Sequence, residues 1–203
     1  MNAPGPEEKA TGRVEAFSDG IFAFAITLLA LDLHDPAIPP GATLLEGLEG
    51  EWPIFFAFAT SFVTVLIMWV NHHNMFKAIR RIDKQLMFLN GLLLLFVVLT
   101  PFTTRLVAAH LLLADAGIAA AVYSGMFLVL SIVWNTFWRY ASRHGLMVSG
   151  FTDVHVRVIA RQYLVGPTAY GVAFVVSFVN GLASVAVVLA VAGFFAVTAT
   201  VAR

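Results

Sequence analysis

Cysteine is absent from the 203 residues, which excludes disulfide staples, thiol nucleophiles and thiolate metal centres. Charge is scarce as well: Lys, Arg, Asp and Glu make up 12% of the chain, and twelve basic residues balance twelve acidic ones. A soluble domain carries about 25% charged residues, and a chain with no basic excess gives no electrostatic reason to expect a nucleic-acid partner. Internal repeats, low-complexity linkers and alternating strand patterns are also missing, which sets aside a second domain and a membrane barrel. What the chain has is apolar residues, 60% of the total, and a mean hydropathy of +0.86. These values describe an all-α integral membrane protein.

Six apolar stretches, at 14–33, 52–76, 86–109, 117–140, 158–179 and 182–202, each approach the ~20 residues a helix needs to cross ~30 Å of hydrocarbon. Asn180-Gly181 is the turn that makes a hairpin of the last two. Residues 1–12 read as a short flexible leader rather than a removable signal peptide, and 13–203 as a single transmembrane domain. Lys77, Arg80, Arg81 and Lys84 lie between the second and third stretches, Arg139, Arg143, Arg157 and Arg161 between the fourth and fifth, and Lys9, Arg13 and Arg203 at the ends. All fall on one side if both termini are cytoplasmic, which predicts a multi-pass cell-membrane protein with the acidic first loop outside. That loop has room for a short amphipathic piece at 43–51. Arg105, alone near the outer end, can snorkel to the interface or pair with Asp32 or Asp35. Trp134, Trp138, Arg139 and Tyr140 suit an interfacial aromatic belt, and Pro101 and Pro167 are expected to kink their helices.

The entrance of the first stretch, Arg13-Val-Glu-Ala-Phe17-Ser18-Asp19, places polar groups where a helix enters lipid, and such groups need partners. The cytoplasmic end of the antiparallel second stretch supplies a matching set, Trp69, Asn71, His72, His73 and Asn74. Asp19 is expected to accept from Arg13, a histidine or an asparagine, with Ser18 satisfied by a neighbour. His72 and His73 are sequential and point about 100° apart, so a shared metal ion, and with it a zinc enzyme, has little support. Further along, Phe17, Phe24, Leu28, Leu31 and Asp35 fall on one helical stripe, which on periodicity alone can pack between helices or line a path.

The arrangement Arg13-x3-Phe17-Ser18-Asp19, the following Phe22-Ala-x-Ala-Ile-Thr27-Leu-Leu29, and Trp69-x-Asn71-His72-His73 resemble prokaryotic members of the transmembrane protein 175 family, relatives of the endolysosomal potassium channel of animals. The resemblance implies a cation channel of six transmembrane helices per subunit. It also implies a homotetramer whose central pore is lined by the first helix, with K+ and other monovalent cations as permeant ions, membrane lipid as surroundings, and no cofactor, metal or enzymatic activity. Selection in that family uses apolar rings rather than a TVGYG carbonyl filter, which is likewise absent from this sequence. Carried over, the constriction falls on Phe24, where the family usually has an aliphatic residue, with Leu28 and Leu31 as further rings and Thr27 as the polar ring. Arg13, Phe17, Ser18, Asp19, Trp69, Asn71, His72 and His73 become the bracing network. The alternative is a secondary transporter or proton-coupled carrier, which needs polar groups near mid-membrane, where Thr27, Thr60, Ser61, Thr64, Ser124 and Ser131 are the candidates.

Overall fold

In a computed structural model that describes residues 6–149 and 153–201, every element except an isolated bridge is helical. Helix α1 runs Pro6–Leu29 and tightens into a 3-10 turn, Ala30–Asp32. It begins inside the stretch expected as leader, at a proline, which in a first turn gives up no intrahelical bond. The outer loop carries α2, Leu44–Gly50, capped by Thr43: its hydroxyl accepts from the Glu46 amide while the Glu46 carboxylate accepts from the Thr43 amide at 2.7 Å. Then come α3 (Trp52–Lys77), α4 (Lys84–His110) and α5 (Ala116–Arg143).

The expected fifth span differs. Instead of one helix over 158–179, the chain forms α6, Asp153–Gln162, then α7, Val165–Ser177, before α8, Gly181–Val201. The break at Tyr163-Leu164 lies just before Gly166-Pro167, so Pro167 sits in the first turn of α7 and begins a helix rather than kinking one. Among the described residues five helices are long and apolar enough to cross a membrane, α1, α3, α4, α5 and α8; α7, with 13 residues, rises only about 20 Å.

Helix α5 is the central post, packed against α4, α7 and α8, while α1 lies against α3 and α4. Small residues set these distances. A Cβ on Gly181 would stand 2.7 Å from the Ala116 carbonyl and one on Gly117 2.8 Å from the Ser177 carbonyl, so the two outer turns meet backbone to backbone. At the basic end, Ile79 pairs with Met147, and the Arg80 amide donates to the Leu146 carbonyl at 2.8 Å. This fastens the α3–α4 loop to the chain leaving α5. Trp134 and Trp138 are buried, not in a belt: they turn inward among Tyr163, His72 and the α6 backbone, whose Val156 carbonyl accepts from Trp138 at 3.3 Å.

Pro101 stands inside α4, which continues through it. Around it, the Thr104 hydroxyl lies 2.8 Å from the Thr100 carbonyl and 2.7 Å from Ser61 Oγ, itself 3.3 Å from the Tyr123 hydroxyl. Lipid gives helices no hydrophobic reason to associate, so such buried hydroxyl chains and close packing carry the cohesion.

Candidate functional site

Helix α1 has two faces of opposite character. Ser18, Phe22, Ala25 and Leu29, at spacings of four, three and four, are buried against α3 and α4. On the other side Phe17, Phe24 and Leu31 are 64%, 57% and 75% exposed, and Arg13, Gly20 and Thr27 share that exposure. Leu28 is half-buried, at the flank of this face rather than its centre. Thr27 donates its hydroxyl proton to the Phe24 carbonyl at 2.8 Å, which leaves its oxygen lone pairs free to accept from, or coordinate, whatever faces the helix.

The buried face is held by a polar network that spans three helices. Trp69 Nε1–H of α3 donates to Asp19 Oδ1 at 2.8 Å. Asn90 of α4 donates through Nδ2 to Ser18 Oγ at 2.9 Å and meets His72 Nε2 with Oδ1 at 2.9 Å. Ser18 passes its own proton to the Val14 carbonyl at 2.8 Å. His73 Nδ1 lies 2.8 Å from Glu15 Oε1. The His72 ring is fully buried, stacked on Phe76 at 4.5 Å and tilted against Phe22 at 5.2 Å. Its edge is aimed at Asn90 and its faces at aromatics, an anchoring arrangement.

The structure therefore brings together Ser18, Asp19, Trp69, His72 and His73, with the histidines on different partners. Neither histidine reaches Asp19, whose partner is the indole. It leaves three expected members outside: Asn71 donates to its own helix at the Ile67 carbonyl, 2.8 Å, while Arg13 and Phe17 lie on the exposed face. Two members escaped sequence reasoning, Glu15 and Asn90. Asn90 had a readable signal, a lone amide in the run FLNGLLLL, because a polar group inside an apolar span needs a partner.

At the opposite, acidic end, Arg105 Nε pairs with Asp32 Oδ1 at 3.5 Å, so the first helix is tied to α4 at both ends. His34 approaches Glu51 at 3.9 Å and His110 approaches Asp115 at 3.0 Å. The Glu46 carboxyl is held below its ordinary pKa by the Thr43 amide and hydroxyl. Among the described residues no three metal-ligating side chains converge.

Comparison with known proteins adds the following. A family signature described as the endosomal/lysosomal potassium channel TMEM175 matches residues 13–101. Over 194 residues the chain is 44% identical to the potassium channel of Chamaesiphon minutus, covering 94% of this chain and 96% of that one. It is 37% identical over 172 residues to a potassium channel of Streptomyces collinus, covering 84% of each. The crystal structure of a lysosomal potassium-selective channel TMEM175 homolog from Chamaesiphon minutus superposes with a TM-score of 0.84 at 42% identity, covering 94% of this chain and 98% of that one.

Proposed function

The chain belongs to the endosomal/lysosomal potassium channel TMEM175 family, a family of ion channels rather than enzymes, and from that premise we propose that it conducts K+ through a pore lined by α1. The observation that carries this reading is the division of α1 into a buried face fixed by Trp69, His72 and Asn90 and an exposed, uninterrupted face of Phe17, Phe24, Thr27 and Leu31. A helix anchored so firmly on one side presents its other side to a partner or a path.

In this reading four copies assemble around the membrane normal with α1 at the axis. Residues 13–203 form one membrane domain, with 1–12 preceding it. Each subunit crosses six times, α7 serving as a short fifth crossing introduced by α6, so both ends lie in the cytoplasm of a cell-membrane protein. Phe24 forms the narrowest ring and closes by excluding water; Leu28 flanks it and Leu31 makes a second ring nearer the outer end. Thr27 turns hydroxyl oxygens toward the path beside the phenyl ring. Ser18, Asp19, Trp69, His72 and His73 brace the helix from behind. Arg13 and Phe17 lie at the cytoplasmic entrance, and Asn71 closes its own helix.

With no TVGYG run in the sequence, selection rests on how readily a cation gives up its water. K+ holds its shell less tightly than Na+, so K+ is favoured weakly to moderately, other monovalent cations pass to lesser degrees, and no cofactor is needed. Planar bilayer recordings with equal K+ and Na+ on opposite sides should reverse at a potential displaced in the K+-selective direction. A reversal at zero removes the selectivity, and unchanged flux in Phe24, Leu28 and Leu31 alanine variants alike removes the pore face.

A further inference from the structure

Helix α6 has no part in the channel reading beyond introducing α7, yet its sequence is built for a surface. Its ten residues, DVHVRVIARQ, present two kinds of face. Ile159, Ala160 and the following Tyr163 turn inward and pack against the core. Val154 and Val158 turn outward and are 59% and 53% exposed, and Arg157 and Arg161 are exposed along their flank.

Contacts with α5 set the depth of this helix. Trp138 Nε1–H donates to the Val156 carbonyl at 3.3 Å, while Tyr163, just past the end of α6, meets the rings of Trp134 and Trp138 at 6.3 and 5.7 Å. Residues 156 and 163 therefore meet the same turn of α5. A helix running alongside α5 would climb about 10 Å between them, so α6 crosses α5 rather than following it. Trp138 precedes Arg143, the last residue of α5, by a little more than a turn, which places α6 about 8 Å inside the basic end. That is the boundary of head groups and acyl chains, where helices carrying arginine beside exposed apolar residues settle.

Positive charge at this level is unanswered within the subunit. Among the described residues no carboxylate forms an ion pair with Arg139, Arg157 or Arg161, and Arg139 Nε, next to Trp138, is buried without a hydrogen bond. The one acid of α6, Asp153, stands at its first position. Arg157 and Arg161 are a single turn apart, so their guanidinium groups are neighbours and can close on one phosphodiester. A soluble anion would leave the two valines in water, and an apolar protein face would leave the two arginines without a counter-charge. A membrane lipid supplies both halves.

We propose that α6 is a membrane-surface anchor that selects anionic phospholipid. Arg157 and Arg161 hold the negatively charged head, Val154 and Val158 enter the first layer of acyl carbons, and Arg139 adds positive potential at the same depth. A zwitterionic lipid is held less well, because its ammonium group meets the same arginines. The site is built within one subunit and does not rest on the channel reading.

The lack of cysteine makes the test direct. Val158→Cys carrying a bimane, in the full chain in nanodiscs, should be quenched by brominated phosphatidylglycerol at a lower mole fraction than by brominated phosphatidylcholine. About 1 kcal/mol for each arginine near an anionic surface corresponds to about a fivefold preference per charge. Arg157→Gln and Arg161→Gln should each lower the preference about fivefold, and the double variant should remove it. Both side chains are exposed, so these variants keep the fold; Val154→Cys takes the label if Val158→Cys does not give a monodisperse protein. The same bimane at Val175→Cys on α7 should show no preference between the two lipids. An equal response to both lipids at Val158, an equal preference at Val175, or an unchanged preference in the double variant overturns the proposal. So does quenching by aqueous iodide instead of either lipid, which puts α6 in water, or by none of the three, which means that another protein copy covers this face.

Discussion

At the residue scale, two side chains decide most. Asn90 is the only atom bridge between Ser18 and His72 that the described structure shows. Replacing it with leucine leaves a buried hydroxyl and a buried ring nitrogen without that partner, which costs about 1–3 kcal/mol for each group left unsatisfied. Asn90→Leu should therefore lower the melting temperature in detergent by several degrees. Asn71→Leu, which touches no neighbouring helix through its amide, should change it far less, and similar losses in both variants would show that the amides act only within their own helices. Phe24 acts in the other direction. Phe24 is 57% exposed, so Phe24→Ala should leave the fold intact and raise K+ flux into liposomes by widening the path, while reducing the discrimination against Na+. The bracing cluster was partly legible in the sequence, because serine, aspartate and paired histidines in apolar helices announce themselves. The assignment of partners was not, since a one-position rotation decides whether His73 faces Asp19 or Glu15. Periodicity also could not tell that Leu28 lies at the edge of its stripe, because that depends on which side α3 and α4 occupy.

At the scale of elements, helix starts are the most local features and the most readable. Asp83 caps α4: its carboxylate accepts from the Leu86 amide at 2.8 Å and from the Tyr140 hydroxyl at 2.8 Å, joining α4 to α5. Burial pushes this carboxyl upward, but the Leu86 and Tyr140 hydrogen bonds and nearby His144 outweigh it and hold the pKa below its ordinary 3.8. A depressed folded-state value means the cap contributes fully above the unfolded pKa and loses that contribution as pH falls through the lower folded value. Asp83→Ala should cost about 1 kcal/mol at neutral pH, and its melting temperature should converge with that of the parent below pH 3.8. A constant gap down to strongly acid pH would mean that the carboxylate charge plays no part. The divided fifth span shows where local reading fails. Hydropathy runs unbroken across 158–179, and Pro167 alone does not decide the matter in sequence, because a proline can either bend a membrane helix or begin one. Here the packing of Tyr163 against Trp134 and Trp138 fixes the break before it. The start of α8 is set by contact: Gly181→Ala drives a methyl against the Ala116 carbonyl at 2.7 Å and should destabilise the protein by about 1–3 kcal/mol, read as a lower detergent melting temperature.

For the whole molecule, the six-stretch pattern and the clustering of basic residues made the class and general architecture readable from composition alone, whereas assembly lies in surfaces that a single chain leaves open. If α1 stands at a shared axis, its exposed face meets ions and water, whereas an equally exposed face of α7 meets lipid. The cysteine-free sequence gives this difference a clean readout. Thr27→Cys and Leu31→Cys, each on the open α1 face, should be modified by a water-soluble thiosulfonate and lose K+ flux, since a bulky adduct on every subunit fills one narrow passage. Val175→Cys, 66% exposed on α7, should keep its flux under the same treatment because lipid shields the thiol. Native mass spectrometry should find four copies of the 22.0 kDa chain, and oxidation of Thr27→Cys should give disulfide-linked dimers only if copies of α1 face one another. Reaction at Val175 but not at Thr27 would place α1 at the periphery and move the ion path to another face of the assembly, leaving the brace of Trp69, His72 and Asn90 as a purely structural clamp.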